Sequence, residues 1–582
     1  MADIQKGTKG LVRALKEKDV ELKGSPSVLG MTALTYPNYV NSMRSTMFTA
    51  HLKQYLNLIE PDFPYIFTNN ENMVGKYSSG YKKAKNKLKI IKKIVKYEDI
   101  LEHPNVYVLI VYDEENDMYD IIERKICESL TENFGYDYIN DKIDSYNEGD
   151  EIDKDTVLIR STSYDEDMNY SYGANVNVAY TLDPFTSEDA AIASESLAKK
   201  MTSIETEEIA IYINNNDYLL NLYGDEKHYQ PLPEINQSAS YILAASRKMF
   251  TNQLLWDFKS SELNNITDAD PPFYIEDDSV IIDYDIYENA EERNDNPFYW
   301  QINKYMDSQR KYYKEIYKEC KKIIDSGANY SQELDYRYAR AQKMIDREMK
   351  WRNDDSTYGN IEIVVTYRRT VPLAKGSKIT GRYGNKSVIS LIVPDDKMPY
   401  TEDGRRVDLL LNLLAIINRT TAAPLFEIAM NNASFQIRQK MMELKTITAK
   451  EKLLFDFIKI FNEDQEEEMH ADYRRMDRLQ KEAYIKSAIE DGIYIHWNPM
   501  WEKIPIFYRY QNLKKTYPFI KPVTTYIRKW GREIKMLNDY IIGEMYILRH
   551  LRMLNLVNCW ELSSRQSAAK PLLGKVQRLS KA

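Results

Sequence analysis

The stretch KGSKITGRYGNKSVISLIVPDDKMPYTEDGRRVD, from Lys375 to Asp408, decides how this chain is read. The chain as a whole is acidic, with formal net charge -9, yet no acid occurs between Ile363 and Pro394. That window holds six cations, Arg368, Arg369, Lys375, Lys378, Arg382 and Lys386, and three glycines, Gly376, Gly381 and Gly384. Cations on permissive backbone inside a negative protein suit phosphate, because they offset its charge and glycine lets backbone N–H groups come close. The plainer alternative is a pair of tight surface turns with solvated lysines, and composition alone leaves both open. The order GRYGNKS does exclude a P-loop, which needs G-x-x-x-x-G-K-[ST].

Bulk composition narrows the class. The 582 residues exceed what one core can hold, and length suggests about four domain-sized units. With 43% hydrophobic and 29% charged residues, the chain has the makeup of packed, soluble domains. The 46 tyrosines accompany abundant Lys, Asn and Ile and read as coding bias rather than a stacking platform. Cys127, Cys320 and Cys559 form no CxxC pair, which argues against a cysteine zinc site or a disulfide framework and fits a reducing compartment. No apolar signal core begins the chain, and VDLLLNLLAIIN (407–418) is too short to span a bilayer, so a soluble protein without a membrane anchor is expected. Net acidity opposes wholesale coating of nucleic acid and leaves room for a local channel.

Periodicity places the elements. Residues 43–59 read as a helix, or a helix and a turn, and the lysine-rich tract 82–96 as a strand with one wet face. VYVLIVYD (106–113) is a strand with IIERKI as its hairpin partner, and 176–180 and 206–213 are strands. Between them TSEDAAIASESLAKKM reads as a helix capped by Thr186 or Ser187, with Glu188 and Asp189 complementing its dipole. Short strands are expected over 225–290. At 300–351 the stripes Tyr312, Ile316, Cys320, Ile323 and Leu334, Tyr338, Ala341, Ile345, broken at Gly327, predict a projecting helical hairpin. Ile361 to Val371 is a strand, and 425–490 is mostly helical, with Glu466, Glu467 and Glu468 on a solvated face. His103, His228, His470 and His496 lack ligand spacing and read as structural or surface.

The Lys375–Asp408 run resembles the bacterial RNA polymerase beta subunit family, which reads G-D-K-M-A-G-R-H-G-N-K-G-V-I-S and then E-D-M-P-Y-x-x-D-G-x-P-V-D-I-x-L-N. The family's two lysines fall on Lys378 and Lys386, which the resemblance places beside the RNA 3′ region and the reaction centre, and Arg382 falls on its arginine within the same nucleic-acid-contacting motif. Arg419 matches the family arginine in P-S-R-M-N that reaches the incoming triphosphate. Tyr383 stands where the family has histidine and Ser387 where it has the last glycine, and the Pro and Gly before the arginine are lost. ANVNVAYTLDPFTSEDAAIASE is similar to G-x-N-x-x-V-A-F-M-P-W-x-G-Y-N-F-E-D-A-I-x-I-S-E, so Glu188 and Asp189 match the acidic pair near a second magnesium. NSMRSTMFTAHLKQ is similar to N-R-A-L-M-G-S-N-M-Q-R-Q, which carries Arg44 onto a triphosphate contact, Met47 onto the methionine, Lys53 onto the second arginine and Gln54 onto the following glutamine. Near the end, GKVQR matches G-K-A-Q-F through Lys575.

The resemblance runs in order from Ser42 to Arg578 and corresponds to the C-terminal half of a beta subunit. It implies an α+β, multidomain fold with a double-psi β-barrel core, a β-rich wall and flap, and helical insertions. The expected segments are a fork-like region (1–100), a hybrid region with the first part of the barrel (101–225), wall and flap with the helical hairpin (226–360), the second part of the barrel with the lysines (361–430), a helical insertion (431–520) and a clamp-contacting region (521–582). It implies a nucleotidyltransferase subunit, inactive alone, with Lys378, Lys386, Glu188 and Asp189 at the reaction centre. Arg44, Lys53, Gln54, Arg382, Arg419 and Lys575 would contact substrate or nucleic acid. The catalytic Mg2+ would be held by beta prime, and no direct metal ligand is expected here. Implied partners are an N-terminal beta fragment, beta prime or its fragments, a sigma-like factor, DNA template, RNA transcript and NTPs. Split beta subunits of this kind occur in jumbo phages, which implies the cytoplasm of an infected bacterium or packaging in a virion. The alternatives are a non-catalytic assembly subunit and a stand-alone nucleic-acid-binding protein.

Overall fold

The computed structural model describes residues 30–550 apart from 77–79, 99, 101–105, 132–133, 140–141, 214–216, 226, 249–272, 289–297, 349–360, 499–503, 522–524, 530–531 and 536–540. Lys575, His103, Cys559 and the basic N-terminal residues lie outside the described residues. The chain divides into two units, one from the described parts of 1–79, 162–203 and 372–554, the other from those of 80–161 and 204–371.

The first unit is organised by a closed six-stranded barrel. Its strands are β1 (Ala174–Thr181), β2 (Ala190–Ser194), β3 (Lys378–Gly381), β4 (Lys386–Val393), β5 (Leu409–Asn412) and β6 (Ile541–His550), in the order β1-β5-β2-β4-β3-β6. The pairs β1/β5 and β2/β4 are parallel and the other four antiparallel. Alternation drives this: Ala174, Val176, Val178 and Tyr180 share one core with Ile379, Ile389, Leu409, Leu411 and Ile547, while Ala179, Ile192, Leu410 and Ile542 fill a second with Met398 and Val407. The asparagines of ANVNVAYT, Asn175 and Asn177, are buried, and their Nδ2 groups donate to the Phe63 and Arg406 carbonyls at 2.8 and 2.5 Å.

Two expectations change here. TSEDAAIASESLAKKM is not one helix. Asp183 caps a short 3-10 turn at Pro184–Thr186, AAIAS forms β2, and the helix is only Glu195–Lys200, capped by Ser194. Ala191, Ile192 and Ala193 are apolar and buried, the alanines in one core and Ile192 in the other, so burial on both faces of the strand overrides alanine's helical preference. The barrel is also closed by β6, from the region expected to contact a clamp, while Ile361–Val371, expected in the barrel, is not one of its strands.

Helix α1 (Ser42–Leu52) is capped by Asn41, whose side chain accepts from the Met43 N–H. Helix α2 (Ala423–Glu443) packs on β6, where Asn431 Nδ2 donates to the Glu544 carbonyl at 2.8 Å and a Cβ on Gly543 would lie 2.5 Å from the Ile428 oxygen. Helices Ile447–Phe461, Glu463–Arg475 and Arg478–Glu490 follow, as expected. Glu466 is buried beside His470 at 2.9 Å, so the acidic cluster is only partly a wet face.

Arg382 departs most from expectation. It is fully buried, donates to the Ile66 carbonyl at 2.6 Å, pairs with Glu427 of α2 at 2.7 Å and lies over the Tyr546 ring. The Glu71 carboxylate stands 3.9 Å away. Nucleic acid has no access to a guanidinium enclosed in this way, so Arg382 is a structural cation.

In the second unit Met118–Arg124, Tyr107–Asp113, Leu88–Val95 and Glu151–Ile152 form one sheet in that order. The lysine tract is largely wet: Lys83, Lys87 and Lys92 pair with Asp155, Glu151 and Glu148 at 2.7, 2.6 and 3.0 Å. Lys96 is the exception, buried between Asp283 and Asp285 at 2.9 and 2.8 Å. Helices Phe298–Asp325 and Gln332–Ile345 do form a hairpin, with Gly327 at φ +73°. It does not project. Tyr312, Ile316, Cys320, Leu334 and Ala341 pack on Ile94, Val108, Ile110 and Ile121, because VYVLIVYD is apolar on both faces and needs a cover. Strand Ile361–Val371 pairs antiparallel with Ser279–Glu288, and its Arg369 is neutralised by Glu205 and Glu207 at 2.9 and 3.0 Å. No described helix is long and apolar enough to cross a membrane.

Removing one partner of a buried ion pair strands the other. Arg382→Met is expected to cost about 3–5 kcal/mol in urea unfolding. Adding Glu427→Gln, which keeps an acceptor for the Tyr546 N–H, should return much of that loss; equal losses in the single and double variants would contradict the assignment.

Candidate functional site

The site is built around the tight connection from β3 to β4. Gly384 has φ +70°, in the left-handed region, and a Cβ there would lie 2.8 Å from the Arg44 carbonyl oxygen. A Cβ on Gly381 would lie 2.6 Å from Asn385 Oδ1. These glycines therefore serve chain packing: Gly384 lets the first turn of α1 close on the hairpin, and Gly381 makes room for the Asn385 side chain. Arg44 Nη1 then donates to the Gly384 carbonyl at 3.0 Å. A cation in the first turn of a helix opposes the helix dipole, so α1 carries Arg44 at a small cost in stability.

Across the hairpin a small cleft is lined by Arg44, Glu188, Asn385, Ser387, Asn412 and Arg419, among others. Arg419 follows the short helix Leu414–Asn418 beyond β5, and its Nη2 lies 2.5 Å from Asp189 Oδ1. Asp189 is fastened to β4 by its carbonyl, which accepts from the Val388 N–H at 2.8 Å. The preceding Glu188 is exposed and has φ +52°, strained for a residue with a side chain. Burial and the neighbouring Arg419 lower the Arg44 pKa, while Asp189 opposes them.

Beside this cleft lie the two lysines. Lys386 begins β4 and Lys378 begins β3, and Lys378 is opposite His550 of β6 in the antiparallel register. Lys386 Nζ donates to His550 Nε2 at 3.2 Å. Burial, then Lys378, lower the Lys386 ammonium to about 8, and burial lowers Lys378. No carboxylate contributes to either shift, so this pair holds charge without a counterion among the described residues. His51 is buried too; burial, His550, Lys386 and Arg44 push it down to about 4, and its Nδ1 is 3.0 Å from Thr380 Oγ1. The depressed His51 stands near Lys386 without adding charge at neutral pH. An arrangement of two half-buried, uncompensated ammoniums is one that an anion stabilises.

The expected residues separate into groups. Arg44, Glu188 and Arg419 share the cleft, and Asp189 joins them through Arg419. Lys378 and Lys386 form the adjoining pair. Lys53 and Gln54 are exposed past the end of α1 and do not line the cleft. Tyr383, where the resembling family has histidine, is fully buried, with its hydroxyl 2.6 Å from Thr35 Oγ1 and its ring stacked on Tyr36. That departure is a packing change. Ser387 lines the cleft. His51 and His550 were not anticipated; the signal was available for His51, seven residues after Arg44 and so on the same face of α1. Glu188 and Asp189 supply two carboxylates, one held by Arg419, and among the described residues no group of three or more His, Cys, Asp or Glu is placed to hold a metal ion.

The depressed lysine gives a stability test. Below pH 8 folding carries the full cost of the charged Lys386; that cost fades as pH rises toward the unfolded-state value of about 10.4. Lys386→Met should therefore stabilise the chain at pH 7 by up to about 1 kcal/mol, discounted for partial exposure, with the gain vanishing by about pH 10 in thermal melts. A destabilised or pH-independent variant would contradict the site.

Comparison with known proteins identifies the family. The family described as RNA polymerase Rpb2, domain 6 matches residues 146–494, more than half of the chain. A DNA-directed RNA polymerase subunit beta of Mycoplasma pneumoniae is 23% identical over 423 residues, 71% of this chain and 26% of that protein. The corresponding subunit of Sorangium cellulosum is 33% identical over 156 residues, 26% of this chain and 11% of its own length. In Rickettsia akari the figures are 38% over 92 residues, 16% of this chain and 7% of the relative. The chain thus spans about a quarter or less of each of these relatives. With more than half of it matched by one family, the chain belongs to the RNA polymerase Rpb2 domain 6 family and is an RNA polymerase beta-family protein.

Proposed function

We propose that this chain does the work of the C-terminal half of a beta subunit in a multisubunit DNA-directed RNA polymerase, contributing the cationic side of the nucleotidyl-transfer site. The observation that carries the reading is the uncompensated pair Lys378 and Lys386 beside the Arg44–Arg419 cleft. In the reaction an RNA 3′ oxygen forms a bond to the α-phosphorus of an NTP, its proton passes to solvent, and the bond to the leaving pyrophosphate breaks. Lys378 and Lys386 offset charge on the RNA end and the reacting phosphate, where a partly desolvated cation acts more strongly than in water. The guanidinium forks of Arg44 and Arg419 suit the triphosphate. Asp189 orients Arg419, and Glu188 stands at the cleft mouth to approach a magnesium ion brought by the nucleotide. The catalytic ion is assigned to a beta prime-type partner, in keeping with only two carboxylates in this site. A sigma-like factor and a DNA template complete the proposed assembly, and a double-psi connection is the proposed form of the barrel.

In the assembled polymerase, Lys386→Ala should slow elongation by about 10²-fold or more while leaving assembly, followed by mass spectrometry of co-purifying subunits, unchanged. Full elongation by that variant would favour a non-catalytic assembly role and end this assignment.

A further inference from the structure

A second acid-free stretch lies far from the hairpin in sequence. From Lys503 to Arg532, 30 residues, the chain has eight cations and no acid, interleaved with seven aromatics: KIPIFYRYQNLKKTYPFIKPVTTYIRKWGR. This is denser in charge than the window that holds Lys378 and Lys386. Its best-defined part is the helix Ile506–Thr516. Ile506 and Leu513 are fully buried and fix one face inward. Arg509 is held there as well, donating to the Ile460 and Phe461 carbonyls at 2.8 Å. The opposite face is set by spacing. Phe507, Gln511 and Lys514 fall at i, i+4 and i+7, and Tyr508, Gln511 and Lys515 at i, i+3 and i+7, so one stripe carries two aromatics at its start and two lysines about 10 Å further on. Phe507 and Tyr508 are 48% and 60% exposed, and their rings lie edge to face, 5.7 Å apart. Ile504 beside them is 50% exposed.

Placing two large aromatics in water-facing positions is not needed for this helix to fold, since Ile506 and Leu513 already anchor it. Exposed rings followed by cations on one face match what single-stranded nucleic acid requires: π-faces for bases and ammoniums for the backbone. Charge complementarity selects the occupant, because a chain of net charge -9 has concentrated eight cations in a window that contains no acid. We propose that the outer face of helix Ile506–Thr516 is a contact site for single-stranded nucleic acid, separate from the Lys378–Lys386 site. This does not rest on the polymerase reading.

The test is fluorescence anisotropy of the full-length chain with a labelled single-stranded oligonucleotide of about 20 nucleotides and with a duplex of the same sequence, across a salt series. Phe507→Ala/Tyr508→Ala should weaken single-strand binding at least fivefold and duplex binding less. Lys514→Gln/Lys515→Gln should weaken both and reduce the salt slope for the single strand by about 1.4. All four positions are exposed, so thermal melts should not change. Lys378→Ala/Lys386→Ala serves as the comparison, and its effect should add to that of the helix variants. Unchanged single-strand affinity and slope in both helix variants would overturn the proposal. So would loss of binding to polyglutamate with oligonucleotide binding intact, which would mark a protein-docking face instead.

Discussion

One buried guanidinium holds the site together. Arg382 sits at the turn between β3 and β4, and it ties that turn to the Ile66 carbonyl, to Glu427 of α2 and to the face of Tyr546 on β6. Glu427 in turn accepts the Tyr546 N–H at 3.0 Å. Four segments distant in sequence thus meet at one charge. A buried pair of this kind adds little net stability compared with an apolar equivalent, but it tolerates no slippage, because either partner left alone is costly. The turn it fixes is where α1 delivers Arg44, and Lys386 leaves it to start β4.

The same acid-free window therefore supplies cations of two kinds. Arg369 and Arg382 are neutralised by carboxylates drawn from elsewhere in the chain, and they build structure. Lys378 and Lys386 receive no such partner, and burial with mutual repulsion depresses Lys386. A fold that can place Glu427 against one cation could have placed an acid against the others. Leaving them uncompensated, with a neutral His51 nearby, keeps the charge for an anion. On the other wall of the cleft the one close ion pair, Arg419 with Asp189, orients a guanidinium without burying it.

Much of this was legible in sequence, for identifiable reasons. β-Branched runs such as IEIVVTYRRTV and VYVLIVYD gave strands at their observed positions, and Gly327 marked the helical hairpin. Registering Lys378, Lys386, Glu188, Asp189, Arg44 and Arg419 against one family brought together residues that the fold does assemble. Three things were not legible. AAIAS has the local preference of a helix, and only burial inside a barrel makes it a strand. The closing strand β6 is recognisable as a strand but nothing local tells which sheet it joins. Arg382 looks like its neighbours in the basic window, because its acid, Glu427, lies on a helix that only tertiary structure brings near.

The central claim is that Lys386 is a partly desolvated cation kept without a counterion so that an anion can supply one. Its titration can be followed directly by NMR of the isotope-labelled lysine side chains, assigned through Lys386→Arg. The account predicts a midpoint near pH 8 in the free chain, moving upward when pyrophosphate is added. A midpoint at the ordinary lysine value of about 10.4, unmoved by pyrophosphate, would contradict it.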